Sequence, residues 1–173
     1  MLNPSWRSNL EGAFLWIGGW RPSMTFHLLY SKSGWQLEAR LPELIKGIRT
    51  GDLGDLKPSQ VGKVDELHKK TIREEKDSSE NLSDMFKKLL QRHQWWSNPM
   101  EEQVEDNLAN KEEGLVIILQ KADNLRLNTL KEILAILTPT QALHFLIAAA
   151  ELHLRLHEWG KKKDAVTLHH TQP

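Results

Sequence analysis

The sequence predicts an all-α fold: a helical bundle with two long antiparallel helices and shorter N-terminal helices. Three observations predict it. Alternating strand patterns are scarce, whereas apolar residues recur at three- and four-residue spacing. Helix start and stop signals punctuate the chain. Two long amphipathic stripes are separated by a short connector, which favours antiparallel neighbours.

The elements follow in order. In "SNLEGAFLWIGGW", Ser8 and Glu11 stand in capping-box spacing. An apolar run then meets Gly18 and Gly19, which read as a helix C-cap pair. Arg21-Pro22-Ser23 turns the chain into a helix ending near Gly34. "WQLEARLPELIKGIRTG" is a further helix, kinked or broken at Pro42. "DLGDLKPSQ" is a loop. From Ser59 a long charged helix begins. Val61, Val64, Leu67 and Thr71 form its stripe, and Leu82, Met85 or Phe86, and Leu89 resume it. Its middle, "REEKDSSEN", is either a solvated helix or a frayed break. A flexible acidic connector at about 95–106 contains the turn signal Asn98-Pro99.

The second long helix spans about 102–137. Leu108, Leu115, Ile118, Ala122, Leu125, Thr129, Ile133 and Leu137 are its stripe. Thr138 as N-cap, Pro139 at the first helical position and Gln141 at N3 open the last helix. That helix ends at about Gly160–Lys163. The 173 residues thus divide into one domain, 1–163, and a disordered tail, 164–173.

Composition excludes several classes. Lys plus Arg and Asp plus Glu number 23 each, so a general electrostatic grip on nucleic acid or anionic membrane is not expected. Without cysteine there is neither a disulfide framework nor a thiolate zinc site. The apolar windows are too short to span a bilayer, and no signal peptide is evident, so a soluble intracellular protein is expected. The glycines of "WIGGW" match neither G-x-G-x-x-G nor a P-loop, and no serine sits in a nucleophile-elbow context. Glu74-Glu75 and Glu112-Glu113 read as solvated faces. Lys161–Lys163 complement a helix C-terminus. Trp95 and Trp96, beside the connector, are either a packing anchor or a partner contact.

His153 and His157 in "ELHLRLHEWG" are the sharpest chemical feature. On a helical wheel with Ala142 at zero, Phe145, Leu146, Ala149, Leu152 and Leu156 fall within roughly 80°. Leu143, Ile147, Ala150 and Leu154 widen the arc, and His144, Glu151, Arg155 and Glu158 lie opposite. His153 and His157 fall near the centre of the apolar arc, so both are expected to point inward. Two readings stand. They are core histidines satisfied by Tyr30, Asn124 or backbone carbonyls, or they form a metal or cofactor site. The i, i+4 spacing can chelate a metal in cis, but Leu154 follows His153, so the motif is not H-E-x-x-H.

Two signatures carry a resemblance. They are Trp16-Ile17-Gly18-Gly19-Trp20-Arg21-Pro22-Ser23, and Ala122-Asp123-Asn124-Leu125-Arg126 followed by Thr129-Leu130. With the segments around them, they resemble the plant delay-of-germination domain. That domain also forms the C-terminal part of the TGA-type bZIP transcription factors. The match covers most of the chain, and "LHEWGKKKD" resembles the germination-delay branch more. The resemblance implies a non-enzymatic, plant-specific protein of the nucleus or cytoplasm. It implies action in transcription or in seed dormancy through abscisic-acid-linked type 2C phosphatases.

It also implies haem binding, with His153 and His157 at the site. Axial ligands lie on opposite faces of a haem iron, so two histidines one turn apart cannot both ligate it from one intact helix. One is expected to be axial. The other supports it or ligates through a dimer mate. The family's upstream helical region is not matched, so an N-terminally truncated domain is expected, with an apolar surface favouring a homodimer. No basic region or zipper accompanies it. DNA would therefore be reached only through a bZIP partner. The alternatives are such a transcription-associated domain, or a fragment without function.

Overall fold

The computed structural model describes Glu11 and residues 15–48, 50–92 and 101–170. Among these residues are a two-stranded hairpin, β1 (Leu15–Trp16) and β2 (Gly19–Trp20), and five α-helices. The helices are α1 (Met24–Ala39), α2 (Leu41–Ile45), α3 (Pro58–Arg92), α4 (Glu101–Ile136) and α5 (Pro139–His170). A 3₁₀ turn, Leu53–Asp55, precedes α3. The all-α expectation holds, and the hairpin is the exception.

Gly18 and Gly19 do not cap a helix. Leu15 pairs with Trp20 and Trp16 with Gly19 in antiparallel register. Ile17 and Gly18 form the turn with φ of 41° and 79°. A two-residue hairpin loop needs positive φ at its centre, which glycine adopts without cost and a β-branched residue does not. Glycine serves either ending, so the sequence pattern alone did not separate them.

Helix α1 runs through Gly34 to Ala39, past its predicted end, and the break falls at Arg40, with Pro42 in the first turn of α2. The predicted loop 52–60 contains the 3₁₀ turn because Asp52 accepts a hydrogen bond from the Gly54 amide at 2.9 Å. Helix α3 is unbroken through "REEKDSSEN". Helix α4 begins at Glu101, so residues 101–106 of the predicted connector are helical. Trp95 and Trp96 lie outside the described residues. Helix α5 continues to His170, so residues 164–170 of the predicted tail are helical.

Helices α3 and α4 are antiparallel. Gln60 reaches the Ile136 carbonyl, Lys70 pairs with Glu132, and Thr71 meets Thr129. Positions thus rise along one helix as they fall along the other. Their stripes meet in a core of Phe26, Leu29, Leu53, Val64, Leu67, Ile133, Leu137 and Phe145. The corner between α4 and α5 is the predicted capping box. The Thr138 amide donates to Gln141 Oε1 at 3.0 Å, and the Gln141 amide donates to Thr138 Oγ1 at 3.3 Å. Gln141 also donates to the Asp52 carbonyl and accepts from Gln60 Nε2. One buried amide therefore ties α3, α5 and the 3₁₀ turn together. A second small core joins Trp16 to Ala122 and Leu125, and it sets the hairpin against α4.

Candidate functional site: the hairpin clasp and the cavity beside it

Arg126 of α4 builds the site. Its Nε donates to the Trp20 carbonyl at 2.7 Å. One terminal nitrogen donates to the Ile17 carbonyl at 2.8 Å and to the Trp16 carbonyl. The other donates to Asp123 Oδ1 at 2.5 Å. The guanidinium carbon also lies 5.5 Å from the centre of the Trp16 ring. A planar fork with five fixed donors can serve three carbonyls and a carboxylate at once, whereas an ammonium has only three donors on one point charge. A Cβ at Gly19 would lie 2.8 Å from the guanidinium carbon, so glycine there lets the backbone approach the fork.

Helix α3 holds the other side of the hairpin. Trp16 Nε1 donates to Ser79 Oγ at 2.9 Å. Glu75 Oε1 accepts from the Ser23 amide at 2.6 Å, just before α1. Glu75 is buried, contrary to its expected place on a solvated face. It sits where one carboxylate satisfies an otherwise unpaired amide at a helix N-terminus. The two sequence signatures are therefore the two halves of one clasp. Their residue types made each visible, but not the contact between them.

Beside the clasp lies a cavity of about 300 Å³, lined by Trp20, Arg21, Leu28, Leu130, Ala149 and His153 among others. Its lining is predominantly apolar, and His153 stands at 6.3 Å from Trp20, ring centre to ring centre. Both histidines were expected to point inward. The structure leaves His153 exposed and His157 half-buried. The buried side of α5 is Gln141, Phe145, Ala148 and Leu156, one flank of the wide apolar arc. Leu143, Leu146, Ile147 and Leu154, on the other flank, are exposed. A wheel gives the width of an apolar arc but not which half its neighbours cover.

The two histidines have separate surroundings. His157 Nδ1 lies 3.1 Å from Glu11 Oε1, and neither Tyr30 nor Asn124 is its partner. Tyr30 instead donates to Asp65 Oδ1 at 2.5 Å. Burial and then that hydrogen bond raise the Tyr30 pKa well above the ordinary phenol range. Among the described residues no group of three or more metal-ligating side chains converges, and no helix is long and apolar enough to cross a membrane.

The site thus comprises a clasp that fixes backbone, a cavity lined mainly by apolar groups, and an exposed apolar helix face. Comparison with known proteins gives the family. A family model described as DOG1, seed dormancy control, matches residues 1–31. Protein DOG1-like 3 of Arabidopsis thaliana is 38% identical over 93% of this chain and 62% of its own length. Protein DOG1-like 1 of the same plant is 34% identical over 93% of this chain and 67% of its own length. A more distant relative, Protein RESPONSE TO ABA AND SALT 1, is 24% identical over 92% of this chain. The chain belongs to the DOG1 family, a regulatory family by its name, and it spans about two thirds of the length of these relatives.

Proposed function

We propose that the chain is a non-enzymatic regulatory module of seed dormancy and abscisic-acid signalling, acting in the nucleus or cytoplasm through protein contacts. The observation that carries this reading is the exposed apolar face of α5. Leu143, Leu146, Ile147 and Leu154 share one side of the helix, and Leu143 and Leu154 are 58% and 62% exposed. Such a face suits a partner's groove or a second helix. Type 2C phosphatases are the proposed partners, and a homodimer through the same face is the competing use. The family match and the name of the relative RESPONSE TO ABA AND SALT 1 support the pathway. The test is surface plasmon resonance against a type 2C phosphatase, with Leu146→Glu/Ile147→Glu as the variant. Binding that falls at least about tenfold supports the reading, as expected for losing central apolar anchors. Equal binding, or none by the parent chain, overturns it.

A transcription-associated role is the second reading; the balance of 23 basic and 23 acidic residues speaks against direct DNA contact and leaves only a route through a bZIP partner. A gel shift seen only with that partner supports it. Direct binding by the chain alone, steeply weakened by salt, would oppose it.

The proposed haem role finds a partial fit. His153 lines an apolar cavity and would be the residue that holds the group, while His157 is engaged by Glu11. The cavity lies at the small end of ligand sites, about 300 Å³, so the fit to a group of that size is incomplete. Bound there, haem would supply an iron centre able to take diatomic gases or electrons. A Soret titration beside His153→Ala and His157→Ala tests the role. Loss with the first change and a lesser effect of the second is expected.

A further inference from the structure

We propose that the cavity between the hairpin, α1, α4 and α5 binds a small apolar monocarboxylate. Much of its wall is built from side chains with no polar atoms, including Leu28, Leu130, Phe145, Ala149 and Leu152. Water in such a space finds few partners, so an apolar occupant gains by displacing it. A cavity of about 300 Å³ leaves room for the chain of a medium-length acid.

The lining's charge selects an acid over an amine or a neutral chain. Two arginines contribute to it, Arg21 and Arg126. Arg126 is spent on three hairpin carbonyls and Asp123. Arg21 is engaged less fully. Its Nε makes only a long ion pair with Glu75 Oε2, at 4.0 Å and beyond hydrogen-bond length, and its side chain is 53% exposed. Glu75 shares its charge between the two: Oε1 accepts from the Ser23 amide at 2.6 Å, and Oε2 faces Arg21. The start of α1 offers an anion nothing. Ser23, Met24, Thr25 and Phe26 donate their amides to Glu75, Arg21, Pro22 and Ser23 respectively. Arg21 is therefore the reader of the carboxylate. The Thr25 hydroxyl and the His153 imidazole stand in the same lining as lesser donors.

The site is separate from the face proposed for protein contacts. Phe145, Ala149, Leu152 and His153 of α5 line the cavity, whereas Leu143, Leu146, Ile147 and Leu154 do not. The two proposals therefore stand or fall independently.

Isothermal titration of the full chain with decanoate, and with 1-decanol as the uncharged match, tests the proposal. Saturable one-to-one binding of decanoate is expected, weakened at least about tenfold for decanol and for Arg21→Gln through loss of the charged contact. Ala149→Trp fills the cavity and should abolish binding while far-ultraviolet circular dichroism stays helical. If Ala149→Trp fails to fold, the decanol and Arg21→Gln arms still decide, because Arg21 is exposed and outside both cores. No saturable decanoate binding would overturn the proposal. So would equal affinity for decanol, full affinity in Arg21→Gln, or full affinity in a folded Ala149→Trp.

Discussion

Arg126 concentrates more structure in one side chain than any other described residue of the clasp. It reaches the carbonyls of Trp16, Ile17 and Trp20 from across the chain and ties the hairpin to the helix. Arg126→Lys keeps the charge and loses the fork. It is expected to cost about 2 to 3 kcal/mol, from charged hydrogen bonds broken and carbonyls left unpaired. A lowered urea midpoint with unchanged slope is the measurement. Tyr30 gives a second test, in pH. It is the only tyrosine in the chain, so its phenolate band has one source. In the unfolded chain the phenol ionises near about pH 10. In the folded protein, burial and the Asp65 hydrogen bond hold it protonated to higher pH. A folded pKa above the unfolded one contributes stability that is intact below about pH 10 and lost as pH rises past it. The phenolate band is expected to rise only above that pH in folded protein, and to move back toward it in denaturant or in Asp65→Asn.

At the scale of elements, the corner at Thr138 was legible because its chemistry is local. Thr138, Pro139 and Gln141 lie within four residues, and a capping box needs nothing beyond them. Thr138→Ala is expected to cost about 1 kcal/mol, read from thermal or urea unfolding, with helix content unchanged. Most of the stripes of α3 and α4 was legible for the same reason, since a helix repeats its exposure every turn; Leu115, counted in the α4 stripe, is exposed. Ala122, Leu125, Thr129, Ile133 and Leu137 are all buried as their spacing predicts. What could not be read depended on partners far along the chain. Gly18 and Gly19 could end a helix or turn a hairpin, and only the Arg126 fork and the Trp16 contact with Ala122 decide for the hairpin. Glu75 looked like a surface acid because its partner, the Ser23 amide, is 52 positions away. Helix α5 shows the same limit. Its apolar arc is broader than the surface its neighbours cover, so the inward direction assigned to His153 did not follow from the arc alone.

At the scale of the molecule, two cores carry two tasks. The larger, around Phe26, Ile133 and Phe145, joins α1, α3, α4 and α5. The smaller, around Trp16, fixes the hairpin that walls the cavity. The clasp also imposes an order on the chain's own making. Arg126 meets the carbonyls of Trp16 and Trp20 across 110 and 106 positions. A ribosome adding about 5 to 20 residues each second needs roughly five to twenty seconds to cover that distance. Throughout that interval the indole of Trp16 has been synthesised and the residues that bury it have not. The nascent segment is thus a sticky, unpaired stretch, the kind that chaperones shelter during translation, until α4 emerges and closes over it.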